Sequence, residues 1–362
     1  MAALAVRAVI LPDGDERAFF VIDGRITFDR PTHLDVETFA SGGFVLPGLV
    51  DAHCHVGLAA VGGVPLDIAR QQAMTDRDAG ALLLRDAGVP HTHYELDDAD
   101  DLPRIVHAGS HLARTRRYIR NYAVEIEPGE LADYAEAQAR RPGGHGQPWV
   151  KIVGDWIDRE VGDITPCWPA DVLRDAVARA HAAGARVATH VFGEEALPDL
   201  IAAGVDSIEH GTGIDAAVLD AVAAAGIAVV PTLVMVAEFD KFADQATKYP
   251  AYADRMRRLK RSAAGRFVDA RDAGVPIYVG TDAGGHLPHG LVVDEMLALG
   301  AAGLSNLEVL AAGSWKAREW LGLPGLVEGA PADFVLYDND PRLDLTELRR
   351  PQHIVVRGSV VR

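Results

Sequence analysis

Six side chains between positions 53 and 282 carry the chemistry of a divalent-cation site: His53, His55, Lys151, His190, His210 and Asp282. His53 and His55 close the apolar run Phe44-Val-Leu-Pro-Gly-Leu-Val-Asp-Ala-His-Cys-His. On an extended strand residues i and i+2 share a face, so the two imidazoles point the same way. Neutral imidazole is a common metal ligand, and the strand fixes the spacing of the pair. Cys54, between them, points to the opposite face and reads as core packing. Two histidines at a strand end could alternate by chance. The other four residues, each closing another apolar run, turn the pair into a candidate metal site.

Lys151 sits in Trp149-Val-Lys-Ile-Val-Gly, an apolar frame in which an uncompensated ammonium is costly to bury. Three outcomes relieve it: a salt bridge to Asp155 or Asp86, a neutral amine, or a carbamate formed with carbon dioxide, an anion able to bridge two cations. Beside four histidines and an aspartate, the carbamate is the preferred reading. His190, in Val187-Ala-Thr-His-Val-Phe-Gly, and His210, in Asp206-Ser-Ile-Glu-His-Gly-Thr-Gly, each follow an apolar run and precede glycine. A lone buried histidine is ordinarily a hydrogen-bonded core residue; repetition at neighbouring strands argues for ligands. Asp282, in Val279-Gly-Thr-Asp-Ala-Gly-Gly, can touch a metal with one oxygen and take a proton with the other, its alternative role being a helix N-cap.

The elements that must position these groups alternate along the chain. Apolar runs of strand length lie at 44–53, 80–85, 117–124, 149–153, 186–191, 205–209, 227–233 and 275–281. Helical stretches intervene, among them 169–183, 194–203, 216–225 and 252–273, several followed by Gly184, Gly204, Gly226 or Gly274 as helix-terminating residues. This α/β alternation predicts a (β/α)8 barrel of the TIM type, with a doubly wound open sheet as the alternative. In such barrels the active site gathers at the C-terminal ends of the strands, where all six candidates fall. Both chain ends read instead as short strands and turns, with a hairpin signal at Asp23-Gly24. Neither end has enough apolar surface to stand alone, so segments 1–46 and 325–362 are expected to pair into a small β-sandwich domain flanking a 47–324 barrel.

Composition narrows the function. The 362 residues hold 35 Lys plus Arg against 52 Asp plus Glu, a formal charge of −17 that repels phosphate backbones and anionic lipid. A small-molecule substrate is expected, with no nucleic-acid or membrane partner; a homo-oligomer is compatible with the sequence. Two cysteines, Cys54 and Cys167, are too few for a disulfide framework and suit a reducing cytoplasm. The N-terminal apolar run is broken by Arg7 and stopped by Pro12-Asp13, which does not fit a signal peptide. The longest apolar stretch, 216–237, contains Asp220, Gly226 and Pro231 and reads as helix then strand.

The set Pro47-Gly-Leu-Val-Asp-Ala-His-Cys-His, Lys151, Thr189-His190, Glu209-His210-Gly and Gly280-Thr-Asp-Ala-Gly resembles the amidohydrolase superfamily, nearest its imidazolonepropionase-like and prolidase-like branch, over nearly the whole chain. The resemblance implies a binuclear centre, commonly zinc. His53, His55 and Asp282 would bind the more buried ion and His190 and His210 the more exposed one, with carboxylated Lys151 and a hydroxide bridging them. Metal lowers the pKa of bound water and polarises a scissile carbonyl, and Asp282 would pass a proton to the leaving group. The prolidase-like branch usually carries Ser-Gly-Gly after its lysine; here Ile152-Val-Gly-Asp-Trp follows, so Asp155 and Trp156 reshape that wall. Imidazolonepropionase itself resembles a one-metal enzyme without the lysine, and Lys151 argues against that identity.

Candidate substrate contacts are Arg85, Tyr122, Trp156, Thr232 and His286, all near strand ends. Arg85 or Tyr122 could hold a carboxylate; alternatively Arg85 and Asp86 form a buried structural pair. Trp156 and Trp168 could cap the pocket or pack, while His91 and His93 read as loop residues. The leading expectation is a metal-dependent hydrolase of amide-type C–N bonds in an N-acyl amino acid, dipeptide or cyclic amide. A lactonase or phosphotriesterase could use the same centre, and a third reading is a silent barrel with structural metal. Six convergent ligands favour an open catalytic site over the closed four-ligand sets of structural zinc.

Overall fold

A computed structural model of the protein describes residues 3–362; Met1 and Ala2, the start of the expected 1–46 segment, lie outside the described residues. The two chain ends share one sheet. Ala3–Ile10 pairs antiparallel with Asp15–Ile22 and parallel with Val36–Pro47, whose far edge receives Phe334–Tyr337 antiparallel, Phe334 facing Pro47. Arg25–Thr27 beside Asp15–Ile22 at one edge, and His353–Val356 and Ser359–Val360 at the other, extend it to seven strands. Alternation along Ala3–Ile10 sends Val6, Ala8 and Ile10 into an apolar cluster with Phe19, Phe334 and Val355. Among the described residues this is one sheet rather than the two layers of a sandwich.

The central residues form a mixed α/β unit with two arcs of parallel strands. Leu49–Cys54, Ala81–Asp86 and Arg104–His107 make one arc. The other contains Ala123–Ile126, His111–Arg114, Trp149–Val153, Arg186–Val191, Ser207–His210 and Ala228–Val230, in that order. Backbone hydrogen bonds of the 275–283 segment link the arcs: Tyr278 N donates to Val229 O, and Ala52 N to Val279 O. At the opposite side Arg104–His107 and His111–Arg114 follow one another in the chain, one in each arc. This parallel order with intervening helices departs from a single open sheet.

Three strand expectations are corrected. The 275–281 run forms no continuous strand among the described residues: the segment pairs only through single bridges, Ile277 with Val229 and Ala283 with Cys54. The 44–53 run is divided at Pro47-Gly48: the part up to Pro47 belongs to the terminal sheet, and only Leu49–Cys54 to the central one. Gly48 lies where an added Cβ would meet the Leu82 side chain at 2.5 Å, so the crossing requires glycine. The third strand is not 117–124. The ladder is carried by Arg104–His107 and His111–Arg114, and Ala123–Ile126 is an added edge strand. Ala108, Gly109 and Ser110 interrupt the apolar pattern there, so periodicity passed over it. The helices follow their amphipathic spacing: Pro250–Asp272 starts with proline at its first turn and buries Ala253, Met256, Leu259, Ala263, Phe267 and Ala270 at intervals of three and four. No helix among the described residues is long and apolar enough to cross a membrane.

The first strand is stitched to the 275–283 segment by one buried carboxylate. Asp51 accepts hydrogen bonds from His53 N, Thr281 N and the Thr281 hydroxyl, at 3.1, 3.0 and 2.6 Å. Burial, with the nearby Asp76 charge, pushes its pKa up to about 7 despite these donors. The stitch brings His53 and Asp282 onto one rim: Asp282 N donates to His53 O at 2.7 Å.

Candidate metal centre

At that rim the potential ligand atoms of His53, His55 and Asp282 all lie within 4.8 Å of one another. Asp282 Oδ1 is 3.2 Å from His53 Nε2 and 2.9 Å from His55 Nε2. Ligands each about 2.1 Å from one ion stand roughly 3.0–3.4 Å apart, so the spacing suits a shared cation. The outer nitrogens fix the tautomers. His55 Nδ1–H donates to Gly88 O at 2.7 Å, and His53 Nδ1–H to the Glu209 carboxylate at 2.6 Å, leaving both Nε2 lone pairs inward. Burial and the nearby Lys151 charge lower the His53 pKa, against the pull of Glu209.

Glu209 is the hub behind this layer. Its carboxylate accepts from His53, from the Ser207 hydroxyl at 2.6 Å, and from Arg85 at 2.7 and 2.8 Å. Burial alone would favour the neutral acid; Arg85 and His53 hold it well below the ordinary carboxylate range. Arg85 also donates to Ala52 O at 2.6 Å and lies 4.5 Å from the Trp149 ring centroid. It is fully buried, and its expected partner Asp86 is turned instead to Gly88 N and His107.

His210 adjoins the same site from the next strand end. Its ring is 5.1 Å from that of His53 and 4.7 Å from that of His190, and its Nδ1 pairs with the Thr232 hydroxyl at 2.8 Å. Strand alternation would send Glu209 and His210 to opposite faces. The left-handed φ of 65° at His210 breaks that alternation, and Thr232 and Asp282 share it, at 49° and 59°. Non-glycine residues in this region cost of order 1–3 kcal/mol each and gather at functional sites.

Lys151 and His190 complete the set. Lys151 is 1 % exposed, and its Nζ has no hydrogen-bond partner among the described residues; neither do the two ring nitrogens of His190. The alternative salt bridge from Lys151 to Asp155 or Asp86 is absent among the described residues. Asp155 accepts instead from Phe192 N and Gly193 N, at 3.0 and 2.6 Å, and stands 3.8 Å from His190 Nε2. Burial lowers the Lys151 pKa to about 8, with Glu209 and Asp282 pulling it upward. Buried polar atoms without partners are expensive. An unpaired amine and imidazole beside three convergent ligand atoms fit a divalent-cation centre.

A cavity of about 300 Å³ opens over these residues, with His55, His190, His210 and Asp282 in its floor. Of the expected substrate contacts, Tyr122, Trp156 and His286 line it. Arg85 and Thr232 do not: both are fully buried, Arg85 under Glu209 and Thr232 against His210. Trp168 packs, its Nε1–H bonded to Val153 O at 2.7 Å. His93 is tied to Val64 O, and His289 to Asp76 at 2.7 Å. Sequence reasoning missed the Glu209 hub, the wall residues Tyr118 and Phe192, and buried His111, whose ring lies 5.1 Å from that of His55. Only Glu209 had a signal, an acidic residue within an apolar strand.

The chain belongs to the amidohydrolase family, whose model matches residues 44–361. Uncharacterized proteins of Mycobacterium tuberculosis (strain ATCC 25618 / H37Rv) and Mycobacterium bovis (strain ATCC BAA-935 / AF2122/97) are each 50 % identical to it, over 98 % of this chain and 95 % of theirs. Among solved structures it is similar to a Xaa-Pro dipeptidase with methionine bound in its active site, at TM-score 0.83 and 21 % identity, covering 99 % of both chains. It is also similar to A. niger ochratoxinase, at TM-score 0.79 and 19 % identity over 99 % of this chain and 95 % of that one. At these identities the likeness to solved structures establishes the fold.

Proposed function

We propose that the protein is a metal-dependent hydrolase that cleaves an amide-type C–N bond of a small molecule, working at the C-terminal rim of a (β/α)8 barrel spanning 47–324, with segments 1–46 and 325–362 as the flanking β domain. In this reading His53, His55 and Asp282 hold one divalent ion and His190 and His210 a second. Lys151, converted by carbon dioxide to a carbamate with loss of a proton, would supply a further anionic ligand and serve as the bridge. The nitrogen and oxygen donors suit zinc. Such a centre supplies Lewis-acid polarisation of the scissile carbonyl and an acidified water.

The chain's own groups do the rest. Asp282 Oδ1 stands between His53 and His55, while Oδ2 has no partner among the described residues and belongs to a side chain at the cavity floor. It takes the proton from the attacking water and returns it to the departing nitrogen. Glu209 orients His53, Gly88 O orients His55, and Thr232 orients His210. The two buried free cysteines fit a reducing compartment.

The observation that carries the reading is Lys151 Nζ, buried and unpartnered beside the His53, His55 and Asp282 convergence. Purified protein should hold about two equivalents of metal, as the notional pair of ligand sets requires. Lys151→Ala should lose metal and activity, and short carboxylic acids should restore part of both. Full metal content and turnover in Lys151→Ala would refute the bridge.

A further inference from the structure

The cavity above the centre has a strongly aromatic wall. Six aromatic side chains line it: Tyr118, Tyr122, Trp156, Phe192, Phe242 and Tyr252. Five of them lie against one another or against a histidine of the cavity. Trp156 and Phe192 stand 5.2 and 4.3 Å from the His190 ring, Tyr118 stands 4.7 Å from Trp156, and Phe242 stands 6.1 Å from His286 at the outer edge. No lysine or arginine is among the described lining residues. The nearby cations are engaged with acids: Arg117 with Asp158 and also Thr165, Arg255 with Asp163 and Glu195, and exposed Lys241 with Glu238 at 3.1 Å. The one charged wall group away from the floor, Glu238, is an acid.

Two further features fix the polarity. Tyr122 is 3 % exposed, and its hydroxyl has no hydrogen-bond partner among the described residues although the side chain lines the cavity. An unpaired buried hydroxyl wants a ligand group that can hydrogen-bond without charge. The chain also carries a formal charge of −17, a field that disfavours anions.

We infer that the substrate is an uncharged amide or carbamate bearing an aromatic group, and that it has no free carboxylate. The inference rests on the hydrolase reading above and narrows it: N-acyl amino acids and free dipeptides fall outside it. The scissile carbonyl lies at the floor over His190 and Asp282, and the ring lies between Trp156, Tyr118 and Phe242. A neutral polar group meets Tyr122. Offset and edge-to-face contacts hold the ring, and no cation is available to repay the desolvation of a distal carboxylate. Hydrolysis adds water across the C–N bond. The hydroxyl goes to the acyl carbon and the proton to the nitrogen, releasing an acid and an amine from the amide; a carbamate releases an amine and a carbonic monoester.

Matched pairs test this. N-benzoylglycinamide against N-benzoylglycine, and N-acetylphenylalaninamide against N-acetylphenylalanine, differ only in a terminal carboxamide or carboxylate. On the zinc-supplied enzyme, binding is read by tryptophan quenching and turnover by product release. The neutral member of each pair should bind at least about tenfold tighter, because its partner buries an unpaired charge. Gln245→Arg, which puts a cation on the wall, should shrink that ratio, and Tyr122→Phe should weaken the neutral member alone. Equal or tighter binding of the carboxylates, or no binding by any member, overturns the inference. Turnover confined to carboxylates overturns it while the hydrolase reading stands. Preferred binding of the neutral members with no turnover of any amide or carbamate defeats the hydrolase reading and leaves the selectivity of the cavity in place.

Discussion

Replacing Glu209 with glutamine removes one negative charge from the centre of the buried network while keeping its shape. In the native protein that carboxylate takes two hydrogen bonds from Arg85, one from His53 and one from Ser207, with both Arg85 and Glu209 fully buried. In Glu209→Gln, Arg85 keeps its bond to Ala52 O and its place over Trp149 but loses its counter-charge. Breaking a buried pair from one side costs about 3–5 kcal/mol. The metal effect is separable. Without an anionic acceptor the His53 Nδ1–H is less firmly held and Nε2 becomes a poorer donor, which lowers metal affinity about 10–100-fold. Denaturant unfolding of metal-free protein reads the first quantity, and zinc competition against a chelator reads the second. The double variant Arg85→Met with Glu209→Gln should recover part of the stability, because no charge is stranded, and none of the metal affinity. Wild-type zinc affinity in Glu209→Gln, or recovery of both quantities in the double variant, would refute the assignment of Glu209 as the group that positions His53.

Asp282→Asn should lower kcat by about 10²–10⁴, the range for a lost general acid–base group; a variant that retains zinc at full turnover sinks the proton-transfer role. Gly280→Ala should destabilise by about 1–3 kcal/mol and lower zinc retention, since an added Cβ would stand 2.7 Å from the His53 Cβ; an unchanged melting curve would contradict that packing. His107 lies 2.9 Å from Asp97 and 3.5 Å from Asp86, and although burial opposes its charging, these two acids raise its pKa to about 9. The folded protein therefore binds a proton there that the unfolded chain releases near pH 6.5, so this contribution is full below about pH 6.5 and lost as pH rises through about 9. Its size is on the order of 3 kcal/mol. Stability of the native chain relative to His107→Gln should fall across that window, and a constant difference would exclude His107 as the source.

Legibility varied with the range of the physics. The His53/His55 pair could be read because strand alternation is local, and it survives in the contacts both rings make with Asp282 Oδ1. The broken third strand could not, because its ladder partners are remote: Leu112 pairs with Ile152, and Arg104 with Leu83. Arg85 was open to two readings as a terminal-strand arginine. Its partner proved to be Glu209, 124 residues away, a pairing that no local spacing encodes.

The sequence by itself determined which side chains could bind a cation, that strands and helices alternate between two β-rich ends, and that those ends need each other to cover an apolar face. Tertiary structure alone decided how the candidates are used. It strands Lys151 Nζ without a partner among the described residues, turns His210 and Asp282 through left-handed backbone, and sets Arg85 beneath the site rather than in the cavity. The physical reason is that side-chain type and periodicity are properties of neighbours along the chain. Burial, charge compensation and the make-up of a cavity wall depend on groups that meet only after the strands have assembled.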